Sequence, residues 1–444
     1  MASARSLLLL GGALRPTGAH CMEQAEQRGL DVTLADTREN LSKVPELVER
    51  AAHTVELPYA DVEATVAWAV RQKEAGQEFL GVYGTRETAA ESVAAVAEVL
   101  GLPGNGRAAV RCIQDKFACR AALAERGFRQ PPVARCSSEA EIRAFLAAHP
   151  PGPWIVKPPT GRGSAGVSLV RDEGDLEAAL VHLARARREL REELVGQGMD
   201  LAADEPAEAA LTEDVLVEGF QTGEEFSAEG VFVDGVPRLL AVTAKVTTGA
   251  PHFIELGHAM PADLPPGAQA DVASTLERAL PALGLSWGVF HVEFWLERDG
   301  GIVLGEVHVR PGGDYIHVMA QHITDTQMHG AVFDQLLGKP VDVSGWGARR
   351  AAAIRFLTPP AGTVTAVDGW AEVAASPHLL AGKLTLEEGS ETAPLKSSYD
   401  RSSFVCVTGP TLQEAVDTAE RLAAAVKIEV TPAAAAADDP GGCF

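Results

Sequence analysis

The sequence predicts a chain of several domains, α/β at its start and α+β beyond. Strands and helices alternate over residues 5 to about 105, and the pattern turns β-rich from Val215 onward. The 444 residues, 46% of them hydrophobic, are enough for more than one core. Changes of pattern set boundaries at 110, 214 and 340, and the Ala-, Asp- and Gly-rich stretch 431–444 reads as a disordered tail.

The opening apolar run, Leu7 to Leu10, could be mistaken for the core of a signal peptide. It is short, lacks a clear cleavage site and runs into a Gly11-Gly12 turn and a helix to about Arg28, so a first β-strand is expected. Strands at Asp31 to Ala35 and Phe79 to Tyr83 complete a small parallel unit. Its turn lacks a full G-x-G-x-x-G, so no dinucleotide site is assigned there. From Asp115 to Val170 a helix precedes a strand, a glycine loop and a second strand, and a helical stretch follows at about 175–212. Its acidic end, Asp200 to Asp214, is expected to be an exposed loop. Helices are expected at about 267–283 and 411–425.

A formal net charge of -23 argues against nucleic acid or an anionic membrane as the main partner. No stretch is long enough to span a membrane. The six cysteines show neither CxxC pairing nor zinc spacing, which fits reduced thiols in a cytoplasmic protein.

The most informative segment is 291–310, two alternating strands around Asp299-Gly300, a dipeptide favoured in tight hairpins. With those two residues as the loop, Arg298 faces Gly301 and Glu293 faces Glu306. The same period of two puts His291, Glu293, Glu306, His308 and Arg310 on one face. Val292, Phe294, Val303, Val307 and Val309 fall on the other. Opposed carboxylates repel, so the pair calls for solvent or a divalent cation.

The stretch 154–170 places Lys157 at a strand end, then a loop of Gly161, Arg162, Gly163, Ser164, Ala165 and Gly166, then a second strand. Such a loop lets backbone N–H groups approach anionic oxygens, with Lys157 as a point charge. A strand follows the loop, so it is neither a P-loop nor a Rossmann turn; it reads as a flap over phosphates or as a plain glycine-rich hairpin. Further on, Asp214 to Phe220 and Glu224 to Val233 form a meander or a nucleotide hinge, and taken alone the stretch does not decide.

In this order, Asp115-Lys116, the Lys157 strand and its flap, Glu218, Glu225, Glu293 and Glu306-x-x-x-Arg310 resemble the ATP-grasp superfamily over about residues 1–340. The resemblance implies a Rossmann-like domain before the ATP-grasp core (1–110), a small subdomain with the flap (111–214), a large subdomain with the metal site (215–340) and a β-rich C-terminal lid domain (341–430). It implies that Lys116, Lys157 and the flap meet the phosphates of ATP, that Glu218, Gly219 and Phe220 hold adenine, and that Glu225 holds ribose. Glu293 and Glu306 would bind two Mg²⁺, and Arg310 would stabilise an acyl phosphate. His308 stands where many members carry Asn, so it contacts substrate, favours Mn²⁺ or reaches the metal through water.

Segment 241–261 looks like the carboxylate–amine ligase branch that includes bacterial dipeptide ligases. There Glu255 would hold an ammonium group, and His258 would orient the acyl phosphate or manage a proton. Asp314, where such a ligase often has a bulky residue, suggests a larger or more cation-friendly pocket. The resemblance therefore implies amide formation from a small carboxylic acid and an amine. A biotin-carboxylase-like enzyme and a phosphotransferase are the alternatives. Dimers are common in the superfamily, which makes a homodimer the assembly to test.

Overall fold

The computed structural model describes residues 5–161, 163–196, 214–401 and 403–432. Arg162, most of the acidic stretch 200–214 and the tail beyond 432 therefore lie outside the described residues.

Strands β1 (Ser6–Leu10), β2 (Asp31–Asp36), β3 (His53–Glu56) and β4 (Gly81–Gly84) form a parallel sheet in the order β3-β2-β1-β4. The leucine run is its central strand. Leu7 and Leu9 pack with Met22, Met319 and Phe333, whereas Leu8 and Leu10 pack with Leu57, Val82 and Val96. Burial on both faces explains a continuous apolar run. β3 escaped the sequence pattern because His53, Thr54 and Glu56 are exposed on a sheet edge and carry no apolar period.

Strands β5 (Val133–Cys136), β6 (Trp154–Lys157), β7 (Ser168–Val170) and β8 (Val215–Gly219) make an antiparallel sheet in the order β5-β8-β6-β7. Helices Glu139–Ala148 and Glu173–Gly196 cover one face through Ile142, Phe145, Leu176 and Leu183. The flap joins β6 to β7.

The largest sheet begins with β9 (Glu224–Val233), β10 (Val236–Thr247), β11 (Glu255–Met260), β12 (Val289–Leu296) and β13 (Ile302–His308). Beyond residue 340 come β14 (Ala351–Leu357), β15 (Gly362–Asp368), β16 (Leu379–Lys383), β17 (Glu391–Thr392), β18 (Ser403–Gly409) and β19 (Lys427–Pro432). The sheet order is β13-β12-β9-β10-β11-β14-β18-β16, so strands from both sides of residue 340 share one hydrogen-bonded sheet. β17, β15 and β19 form a separate small sheet. Phe226, Phe290, Phe294, Leu304 and Val307 bury one face of the large sheet against helix Ala268–Ala282. The opposite face is polar around Glu225, Ser227 and Glu229 and turns apolar beyond them, where Val231, Val289, Met260 and Ile354 pack with Met319 and Phe333.

The β12–β13 hairpin corrects the expected register. Gly300 N–H donates to Glu297 O at 2.8 Å and Glu297 N–H to Gly301 O at 2.8 Å, so the loop holds Arg298, Asp299 and Gly300 rather than two residues. Gly300 takes a left-handed φ of 80°, the conformation a three-residue loop requires at that position. From the turn, Phe294 therefore pairs with Leu304, and a bulge then restores His291 to His308 and Val292 to Val307. The consequence is that Leu304, not Val303, joins the apolar face. Glu293 and Glu306 flank the bulge instead of sitting in a flat pair.

Candidate active site

The polar face of the large sheet is a lattice of charges. β9 contributes Glu225, Ser227 and Glu229, and β12 sets Glu293 beside Ser227 and His291 beside Glu229. From β10, Lys245 Nζ donates to Glu293 at 2.6 Å and Glu225 at 2.8 Å and lies 3.1 Å from Glu255 of β11. Only 2% of the Lys245 side chain is exposed. Burial opposes its charge, but the three carboxylates outweigh this and raise its pKa well above the ordinary lysine value. Glu225 is raised, by burial first and then by Glu293, against the pull of Lys245. Glu293 goes the other way: Lys245 and His291 overcome burial and hold it well below the usual carboxylate range.

One strand over, Glu306 lies 3.2 Å from Lys116 Nζ and 3.4 Å from His308 Nε2. Burial resists its ionisation, and Glu293 adds repulsion, but Lys116 and His308 bring its pKa to about 2. Lys116 begins helix Lys116–Glu125, which Asp115 caps by accepting from Ala118 N–H at 3.0 Å. The same ammonium donates to Gly161 O at 2.6 Å, so one lysine touches both the acidic hairpin and the flap. Glu87, after β4, accepts from His308 Nδ1 at 2.7 Å and from Arg310 Nε at 2.9 Å. Those two groups hold its carboxyl below the usual range despite burial.

The flap is pinned along its length. Ser164 Oγ donates to Phe253 O at 3.2 Å, His252 Nδ1 to Val167 O at 2.9 Å, and Leu169 N–H to Pro251 O at 2.9 Å. Gly163 takes a left-handed φ of 67°, and Ala165 and Gly166 complete the turn, with Gly166 buried. Lys157 is buried and donates to Glu218 at 2.7 Å, while Arg120 Nε grips the other carboxylate oxygen at 2.9 Å. The two cations outweigh burial and bring Glu218 to about 2. Gly219 and Phe220 direct their N–H groups to Pro132 O and Pro153 O at 2.9 and 3.1 Å. A base at this hinge would therefore meet carbonyl oxygens or the chain beyond Phe220, a narrower reading than the sequence suggested.

His258 is fully buried, and its Nε2 lies 3.2 Å from Asp314 Oδ2. Arg401, from the chain beyond β17, clasps both Asp314 oxygens at 2.7 and 3.1 Å. Ligand atoms of Glu255, His258 and Asp314 fall within 4.8 Å of one another. Lys245 and Arg401 already compensate this charge, so the trio is a poor cation site.

Five residues of this constellation were not assigned from the sequence. Lys245 had a signal, a lysine in an otherwise apolar strand of a lysine-poor chain. Glu87, Arg120, Glu229 and Arg401 had none, because each meets the site only through the tertiary fold.

The Glu229–His291 pair yields a pH prediction. Burial lowers the His291 pKa, but contact with Glu229 at 3.0 Å raises it to about 9, against 6.5 for an ordinary histidine. With the folded value raised, the pair's stabilisation is complete below pH 6.5 and is lost as pH rises through about 9. Urea unfolding of the wild type should weaken over that window, and a Glu229→Gln/His291→Gln double variant should lose this component. Equal slopes for the two proteins would refute the assignment.

Three family models match the chain: ATP-grasp N-terminal domain over residues 22–104, ATP-grasp domain over 151–318, and L-amino acid ligase C-terminal domain 2 over 355–431. The chain belongs to the ATP-grasp superfamily. Its C-terminal match assigns it to the carboxylate–amine ligase branch that includes the L-amino acid ligases. An uncharacterised protein of Sinorhizobium fredii is 26% identical over 86% of this chain and 75% of its own length. A D-alanine–D-alanine ligase of Citrifermentans bemidjiense is 29% identical over 50% of this chain and 64% of its own length. The crystal structure of an L-amino acid ligase from Bacillus licheniformis superposes with a TM-score of 0.75 at 22% identity, covering 97% of this chain and 100% of that one. At that identity the superposition speaks for the fold. No helix among the described residues is long and apolar enough to cross a membrane.

Proposed function

We propose that the protein is an ATP-dependent ligase that joins a small carboxylic acid, an amino acid by expectation, to an amine, releasing ADP and phosphate. The observation that carries this reading is Lys116, whose ammonium meets Glu306 and the flap carbonyl of Gly161 together. A phosphoryl group bound there would meet the acidic hairpin, a lysine and the flap at one point. In the first step a carboxylate oxygen of the acid attacks the γ-phosphorus and ADP leaves. In the second the amine nitrogen attacks the acyl carbon, loses a proton, and phosphate departs.

The carboxylates fit the implied ions: Glu293 and Glu306 are held ionised on neighbouring strands, their side chains stay 20% and 24% exposed, and hard oxygens suit Mg²⁺, which would take over part of the charge that Lys245 and Lys116 now balance. Two Mg²⁺ ions, or Mn²⁺ with His308 nearby, would supply positive charge along the phosphates when bound. Lys116 and Lys157 would hold phosphate oxygens, with Glu218 and Arg120 fixing Lys157. Glu225 is our candidate for the ribose, and Gly219 and Phe220 for the adenine edge. Arg310, aligned by Glu87, would face the acyl phosphate. Glu255 would attract the donor's ammonium, and His258, held by Asp314, would manage a proton or orient the acyl group. The closed flap would keep water away from the activated acid.

The test is a matrix of amino acids and amines with ATP and MgCl₂, read by ADP, free phosphate and product mass. The expected result is ADP, phosphate and amide in equal amounts. ADP formation that needs bicarbonate, or a phosphorylated acid without free phosphate, would replace this reading with a carboxylase or a phosphotransferase.

A further inference from the structure

The polar network does not stop at the sheet. Arg401 Nε donates to Ser398 O at 2.9 Å, its Nη1 donates to Glu255 O at 3.0 Å, and its guanidinium lies 3.9 Å over the ring of Phe356. With the Asp314 contacts, the group is fastened on every side, and 6% of its side chain is exposed. Asp314 and Tyr315 carry left-handed φ values of 47° and 63°, a strained pairing for residues with a Cβ. The two-pronged Arg401 clasp holds that strained turn where His258 meets it.

The same short turn reaches the flap. Ser398 opens a one-turn 3-10 helix, Ser398–Asp400, which a reciprocal Ser397–Asp400 capping box stiffens. Its N–H donates to Gly163 O at 2.9 Å. A Cβ on Gly163 would stand 3.3 Å from Tyr399 and 3.4 Å from Ser398, so the bare glycine permits the close approach. Five residues of the C-terminal region thus touch the flap at one end and the Glu255–His258–Asp314 cluster at the other.

We propose that Arg401 is a positioning residue and that the 397–401 turn is a latch coupling the flap to the acid-binding pocket. The statement rests on the ligase reading for its chemistry, but the latch itself is a mechanical claim. An acid whose ammonium draws on Asp314 or Glu255 bears on Arg401, and Arg401 carries the effect through Ser398 to Gly163. With the latch cut, the flap admits water. A water oxygen then attacks the acyl carbon, phosphate leaves, and the acid is regenerated, so ATP is consumed without amide.

Two variants separate the parts. Ser398→Pro removes only the N–H to Gly163 beyond its own hydroxyl, because proline is tolerated at the first helical position and Ser397 already has extended φ and ψ of -155° and 170°. Arg401→Met removes the clasp, and Arg401→Lys restores the charge without the fork. Hydrogen exchange of the full chain is measured with a non-hydrolysable Mg-ATP analogue. Exchange over 163–170 should rise about tenfold in Ser398→Pro and Arg401→Met, with Arg401→Lys between them, while β1 and β2 remain protected as a control for folding. ADP formed per amide should rise above one in the same order. Unchanged exchange at the flap in both variants overturns the latch. A latch that passes this test in a protein with no acid- and amine-dependent ADP release would instead overturn the ligase reading.

Discussion

Glu306→Gln is expected to cut ADP-forming turnover by about a thousandfold, roughly 4 kcal/mol of barrier. The substitution keeps the shape of the side chain and removes its charge. That charge is the counter-ion of Lys116 at 3.2 Å and the neighbour of His308 at 3.4 Å, and in the proposed reaction it would hold a Mg²⁺ ion that supplies positive charge to the phosphates. Most of the loss should fall on kcat, because charge at the transferring phosphoryl group matters most in the transition state. Lys116 also keeps its Gly161 contact, which leaves the flap its anchor. Steady-state kinetics across a Mg²⁺ titration would check this. Near wild-type turnover in Glu306→Gln would remove the hairpin from the chemistry.

Lys245→Met is the second large effect, and it falls first on stability. Three half-buried carboxylates, Glu225, Glu255 and Glu293, would lose their shared buried cation, a change expected to cost about 3 kcal/mol. The sign of the pH dependence follows. Without the ammonium that pulls them down, burial leaves Glu225 and Glu293 binding protons more tightly in the folded state than in the unfolded chain, whose glutamates titrate near 4.5. Stability then rises as protons are added, so the deficit should shrink as pH falls toward 4.5. Urea midpoints of wild type and Lys245→Met at pH 8 and pH 5.5 give the comparison. A variant as stable as the wild type at pH 8 would mean that the cluster does not need its cation.

The sequence displayed those parts of the site that lie along single strands and turns. Asp299-Gly300 announced the hairpin, and a period of two put His291, Glu293, Glu306 and His308 on one face, as the polar face of the sheet has them. The exact loop length was hidden, because Asp-Gly serves both two- and three-residue turns, and that ambiguity moved Leu304 into the place expected for Val303. Pairings across the sheet were hidden more deeply. Nothing in the neighbourhood of Glu218 reveals that its carboxylate goes to Lys157 and Arg120, residues 61 and 98 positions away. The Glu87 contact to Arg310 spans 223 positions and requires the N-terminal unit to dock against the large sheet. Charge partners separated by that much chain are set by topology, which a local period cannot carry.

The seam at residue 340 has a practical meaning for anyone recombining such enzymes. β14 is bonded to β11 from Gly257 to Met260, so a chain cut at that seam would strip the strand bearing His258 of its neighbour and leave bare main-chain groups there. Chimeras that exchange only the last hundred residues would have to rebuild this edge against a foreign partner. Splicing ahead of β9 instead would move Glu225, Glu293, Glu306, His258 and Arg401 with the strands that brace them as one inheritable block, leaving Glu87, Lys116, Lys157 and the flap to the other parent.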